Sequence, residues 1–200
     1  MTVRRRAIRT AVAAAFALGA LPGCADAGGP TFHGTPYHDT RPAPDLLLTD
    51  HRGQPFRLSN LRGRAVLLFF GFTHCPDVCP ATLDKLSRVS LALGERVAVV
   101  MVTVDPERDT PGVLGRYLQN FGPNVTGVTR PGSLEVLYRE YGVYAGRAPG
   151  HGGHGAGRDA LAHTSAVYGF NRDGKLRVVI PPEATREEVT HDARLLLGSG

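Results

Sequence analysis

The stretch Val66-Leu67-Leu68-Phe69-Phe70-Gly71-Phe72-Thr73-His74-Cys75-Pro76-Asp77-Val78-Cys79-Pro80 decides the reading of this chain. Residues 66–72 are continuously apolar, the pattern of a strand buried on both faces of a sheet. Beyond Cys79, Leu83, Leu86, Val89 and Leu93 recur at helical spacing, with Asp84, Lys85 and Arg88 on the other side and Gly94 closing the run. A strand ending in a Cys-x-x-x-Cys turn that opens into a helix puts both sulfurs at the helix N-terminus, where the dipole and open N–H groups favour thiolate. The spacing sets the second cysteine about one helical turn past the first, so both sulfurs can face one point. Thiolates bind soft metals and exchange disulfides.

Working outward, Val97–Val104 is a second buried strand, apolar on both faces, so the unit reads as a parallel strand–helix–strand with a right-handed crossover. Upstream, Leu46–Leu48 and Phe56–Leu58 flank His51-Arg52-Gly53-Gln54 and read as a β-hairpin. Downstream, Thr110 and Pro111 open a helix to about Phe121, and a short helix is expected over Ser133–Tyr141. Thr164–Phe170 and Lys175–Ile180 pair around the turn Asn171-Arg172-Asp173-Gly174. A capping box at Thr185 and Glu188 starts the last helix, with a stripe at Val189, Ala193 and Leu196. This order predicts an α/β thioredoxin-like fold, a central mixed sheet flanked by helices with an N-terminal β-hairpin. There is no internal repeat, and the one low-complexity segment inside the fold is Gly146–Gly157.

The N-terminal end reads separately. Met1–Gly23 has a basic start at Arg4, Arg5, Arg6 and Arg9 and a small apolar run at residues 11–20, the plan of a lipoprotein signal peptide. The run is too short to span a bilayer. Leu21-Pro22-Gly23-Cys24 resembles the bacterial lipoprotein cleavage box, in which the cysteine is lipidated and becomes the first mature residue. The full chain has 23 basic and 18 acidic residues, but the signal holds four arginines and no acid, so the basic excess nearly vanishes with it. Nothing then points to nucleic acid. Residues 24–44, rich in Gly, Pro, Thr and His, read as a flexible tether, with His33 and His38 as solvated linker residues. Residues 45–200 form the folded domain.

Gly71-Phe72-Thr73-His74-Cys75-Pro76-Asp77-Val78-Cys79-Pro80, Asp105-Pro106-Glu107-Arg108-Asp109-Thr110-Pro111, and His163 leading into Thr164-Ser165-Ala166-Val167-Tyr168 together resemble the Sco/SenC family. Members are membrane-anchored copper-binding proteins that assist assembly of the copper sites of cytochrome c oxidase. The resemblance runs from about Pro44 to Leu197. It implies copper held by Cys75, Cys79 and His163, as Cu(I) first and with Cu(II) also accepted. Soft Cu(I) prefers thiolates and accepts low coordination numbers, so two sulfurs and one imidazole nitrogen complete a trigonal site. The implied partners are the oxidase copper-site subunit, a second copper chaperone or a thiol reductant, and the membrane through a lipid on Cys24. The implied location is the extracytoplasmic face of a bacterial cell membrane.

Two features depart from the family pattern. Ala162 stands where many relatives have an aspartate before the histidine, which removes a partner that would orient the imidazole. The Gly-rich segment with His151 and His154 is an elaboration, read as a surface loop or as auxiliary ligands that catch copper. His74 lines the site mouth. Asp77 reads as a turn former and Asp109 or Thr110 as the cap before Pro111; neither Asp105 nor Asp109 is expected to ligate.

The alternative function is enzymatic: a thiol-disulfide oxidoreductase using Cys75 and Cys79, a disulfide when oxidised, to reduce the oxidase subunit's cysteines. His163 discriminates, because copper needs it and disulfide exchange does not. A general thioredoxin would also show a proline where this chain has Ala162-His163-Thr164. A thiol peroxidase is disfavoured, since Thr73 is only two residues before Cys75 and no proline lies between Pro55 and Cys75. Structural zinc wants four ligands, and three good ones are present.

Overall fold

The computed structural model describes residues 31–38, 44–130, 134–147 and 161–199. Its centre is the pair expected from sequence: β4 (Ala65–Gly71) and β5 (Val97–Thr103), every residue buried, joined by α1 (Val78–Leu93) and hydrogen-bonded in parallel with Phe69 beside Met101. Gly94 ends α1 at φ 73°, a conformation that residues with a Cβ adopt at a cost. The helix α2 (Pro111–Leu118) crosses to β6 (Val125–Thr129), which pairs in parallel with β5. That strand was not read from the sequence, since Gly127 interrupts an already short apolar run.

The sheet is mixed. The expected N-terminal hairpin is β2 (Leu48–Asp50) with β3 (Pro55–Phe56), and β2 also pairs antiparallel with β6. On the other side, β9 (Val167–Phe170) runs antiparallel to β4 and forms a hairpin with β10 (Leu176–Ile180). With β1 (Thr35–Pro36) against β10, the strand order is β1-β10-β9-β4-β5-β6-β2-β3. A separate ladder joins β7 (Ala145–Arg147) to β8 (Leu161–His163). The remaining α-helices among the described residues are α3 (Glu135–Glu140) and α4 (Arg186–Gly198), the latter with its capping box formed as expected.

Register shows which helix covers which face. Phe69, Met101 and Gly127 are neighbours across three strands, and Leu67 lies beside Gly169. A Cβ on Gly127 would stand 2.6 Å from Leu118 of α2, and one on Gly169 would stand 2.8 Å from Leu196 of α4. These two glycines let α2 and α4 close onto the same face. The opposite face carries Phe70, Tyr168 and Phe170, whose rings meet Tyr138 and Tyr141 around α3; Tyr168 also donates to the Tyr141 carbonyl at 3.0 Å.

Part of the expected tether is built into the domain. Asp192 on α4, fully buried, accepts the backbone N–H of His33 at 2.8 Å and of Gly34 at 2.9 Å, and β1 follows directly. His33 and His38 are exposed, as expected of solvated residues, but the His33 backbone is fastened to the domain and its ring meets His191 edge-on at 4.7 Å. A linker composition cannot reveal this, because the carboxylate that holds the segment lies 158 residues away. The segment expected to be a signal peptide, Cys24, His151 and His154 lie outside the described residues.

Candidate functional site

Residues 72–77 carry the chain from β4 into α1. The Cys75 N–H donates to the Phe72 carbonyl at 3.3 Å, closing a turn that leaves Cys75 half-buried just outside the helix. Cys79 lies in the first helical turn, fully buried. Its N–H donates to the Cys75 sulfur at 3.3 Å. A sulfur thus takes the role that a Ser or Asp side chain plays at other helix starts. Asp77, at the N-cap position, contributes no side-chain capping bond and acts through its backbone. The two cysteines are thiols, not a disulfide.

The electrostatics differ from the sequence expectation. Burial pushes the Cys79 thiol well above its ordinary value, the hydrogen bond with Cys75 adds to this, and a backbone hydrogen bond at Phe72 opposes it. The nearby Cys75 and Asp109 charges raise it further. Desolvation therefore favours the protonated thiol at this sulfur.

Beneath the turn stands a residue whose role sequence reading missed. Asp109, fully buried, accepts the Thr73 N–H at 3.0 Å, the Thr73 hydroxyl at 2.5 Å and the Thr103 hydroxyl at 2.6 Å. It ties the turn before Cys75 to the end of β5. The local sequence offers only a cap reading, and Thr110 is in fact the N-cap residue of α2, without a side-chain bond. Thr103 also accepts the Asp105 N–H, while Asp105 pairs with the Arg108 guanidinium. His74 is exposed at the mouth, 3.1 Å from the Thr73 hydroxyl and 3.9 Å from Asp109. His74, Asp105 and Asp109 offer donor atoms within 4.8 Å of one another, but hydrogen bonds and an ion pair already engage both carboxylates. This cluster braces the turn.

His163 is the last residue of β8, with its backbone opposite Ala145. Ala162, the departure noted above, sits beside it in the same ladder. Four residues further, β9 begins with Val167 opposite Phe69, near the end of β4 from which the cysteine turn departs. The topology therefore sets the His163 backbone at the same end of the sheet as Cys75. The sequence placed it just before a strand beginning at Thr164; the structure puts it at the end of a short strand of its own, and the next strand begins at Val167.

A sequence model of the family described as SCO1/SenC matches residues 37–198. The mitochondrial SCO2 homolog of Mus musculus is 37% identical over 159 residues, covering 75% of this chain and 60% of its own length. The chain thus spans about three fifths of the length of the curated relatives it matches first. Among solved structures, Bradyrhizobium japonicum ScoI with copper bound superimposes with a TM-score of 0.68 at 34% identity, covering 78% of this chain and 100% of that one. Apo Sco1 from Thermus thermophilus gives 0.69 at 37% identity, covering 84% and 98%.

Proposed function

The chain belongs to the SCO1/SenC family, and from that premise we propose that it is a copper carrier that holds the metal through Cys75, Cys79 and His163 and delivers it to the copper site of cytochrome c oxidase. The observation that carries this reading is the pair of cysteines at the start of α1, one half-buried and one buried, with the Cys75 sulfur against the Cys79 N–H. Two adjacent sulfurs suit Cu(I), and a third ligand from His163, whose backbone lies at the same end of the sheet, would complete a trigonal set. Loading displaces the thiol protons, that of Cys79 included, so copper uptake is linked to proton release. Cys75, the more accessible sulfur, is the one that an incoming cysteine of the target subunit can meet first, so that copper passes by ligand exchange.

The attachment we propose is a lipid on Cys24 at the extracytoplasmic face of a bacterial cell membrane. Among the described residues no helix is long and apolar enough to cross a membrane. A second reading, a thiol-disulfide reductase acting on the oxidase subunit's cysteines, draws on the same asymmetry, with Cys75 as attacking and Cys79 as resolving thiol. His163→Ala separates the two. Under the copper reading it keeps dithiol exchange but loses most Cu(I) retention and oxidase assembly, with partial rescue by added copper through mass action. If His163→Ala cells assemble active oxidase at limiting copper while Cys75→Ala cells do not, the reductase reading replaces it.

A further inference from the structure

The fold brings two histidines together from distant parts of the chain. The His33 ring meets the His191 ring edge-on with centroids 4.7 Å apart. Both residues are held by their surroundings. The His33 N–H donates to the buried Asp192 carboxylate at 2.8 Å, and the next residue, Gly34, lies so close to β10 that a Cβ would stand 2.7 Å from Val178. On α4, His191 Nε2 lies 3.1 Å from the Thr31 carbonyl. A carbonyl oxygen only accepts, so Nε2 carries the proton and Nδ1 of the neutral ring keeps its lone pair. A backbone carbonyl on one ring nitrogen is the arrangement that orients metal-ligating imidazoles and fixes which nitrogen is left for the ion.

We propose that His33 and His191 form a second metal site, for a divalent cation that takes imidazole readily, Zn(II) or Cu(II), with water completing the coordination. The spacing fits. A metal–nitrogen distance of about 2.0–2.1 Å and a ring radius of about 1.1 Å put the centroids of two imidazoles on one ion about 4.5–5.2 Å apart, for angles between a right angle and the tetrahedral one. The observed 4.7 Å lies inside that range, and His33, exposed, has room to turn a nitrogen toward a shared ion. Charge favours a cation there. Asp192, next to His191 in the chain and bonded to the His33 N–H, sets a carboxylate beside the pair, while Glu188 and Arg194, three positions to either side of His191 on α4, offset each other. An ion bound here ties the N-terminal segment to α4, so loading fastens the chain where it meets the fold. The site stands apart from the copper-carrier reading and holds whether or not Cys75 and Cys79 carry copper.

The test adds Zn(II) alone, which has no redox chemistry with the thiols, to the reduced full chain. Two local readouts are followed, the ring resonances of His33 and His191 and chymotryptic cleavage after Phe32; zinc taken up by the thiols alone leaves both unmoved. The expected result is that both rings shift together with a single Kd. At about ten times that Kd, cleavage slows about elevenfold, because binding to the fastened state suppresses opening by mass action. His33→Gln and His191→Gln each keep the zinc-free melting temperature but lose the slowing to within about twofold, whereas His38→Gln keeps it. The inference is overturned if zinc moves neither ring or only one, or if cleavage slows as much in His33→Gln or His191→Gln as in wild type. Should a substitution unfold the protein, the two wild-type ring resonances decide by themselves.

Discussion

Replacing Asp109 tests whether the turn before Cys75 is held from beneath. Its carboxylate takes three donors, two from Thr73 and one from Thr103, in a place closed to solvent. Hydrogen bonds to an ionised group contribute about 1.5–3 kcal/mol each, but donors that share one acceptor are not additive. Removing the charge also relieves its desolvation cost. The net loss expected for Asp109→Ala in the reduced apo protein is about 3–4 kcal/mol, which for a domain of this size lowers the melting temperature by roughly 10 °C. Asp109→Asn keeps the shape and one carbonyl oxygen but turns an NH2 group toward a donor, so about 2 kcal/mol is expected. Urea unfolding with a constant m-value measures both. A cycle with Thr73→Val isolates the shared bond, with a coupling of about 1–2 kcal/mol. If Asp109→Asn lies within about 0.5 kcal/mol of wild type, the ordinary range for an inconsequential surface change, the brace argument is wrong.

The other predictions concern the thiols and the N-terminal segment. Oxidation to a Cys75–Cys79 disulfide abolishes Cu(I) binding, because the metal needs both thiolates; equal uptake by oxidised and reduced protein in an anaerobic titration would refute the ligand assignment. Asp192→Ala frees the N–H groups of His33 and Gly34, so protease cleavage between Phe32 and Tyr37 speeds up while the melting temperature falls by several degrees; an unchanged cleavage rate shows that β1 alone holds the segment. Cys24→Ser leaves unprocessed precursor or releases the protein to the medium, and normal membrane retention of a processed Cys24→Ser protein means that another anchor operates.

The sequence by itself determined the central fold and the identity of the thiols. Val66–Phe72 is apolar at every position and Val97–Val104 at every position but Thr103, the pattern of strands buried on both faces, and the stripe from Leu83 to Leu93 with Gly94 marks the helix between them. Those are local signals, carried by periodicity and by residues whose backbone preferences act over a few positions. The tertiary structure decided what depends on groups distant in sequence. Asp109 reads locally as a cap, yet its carboxylate meets Thr73 across 36 residues; His33 reads as linker, yet Asp192 fastens its backbone to α4 across 159. The Cys79 proton belongs to the same class. The helix N-terminus visible in sequence argues for a thiolate, while burial, which exists only once β4, β5 and the helices have packed, disfavours the charged sulfur.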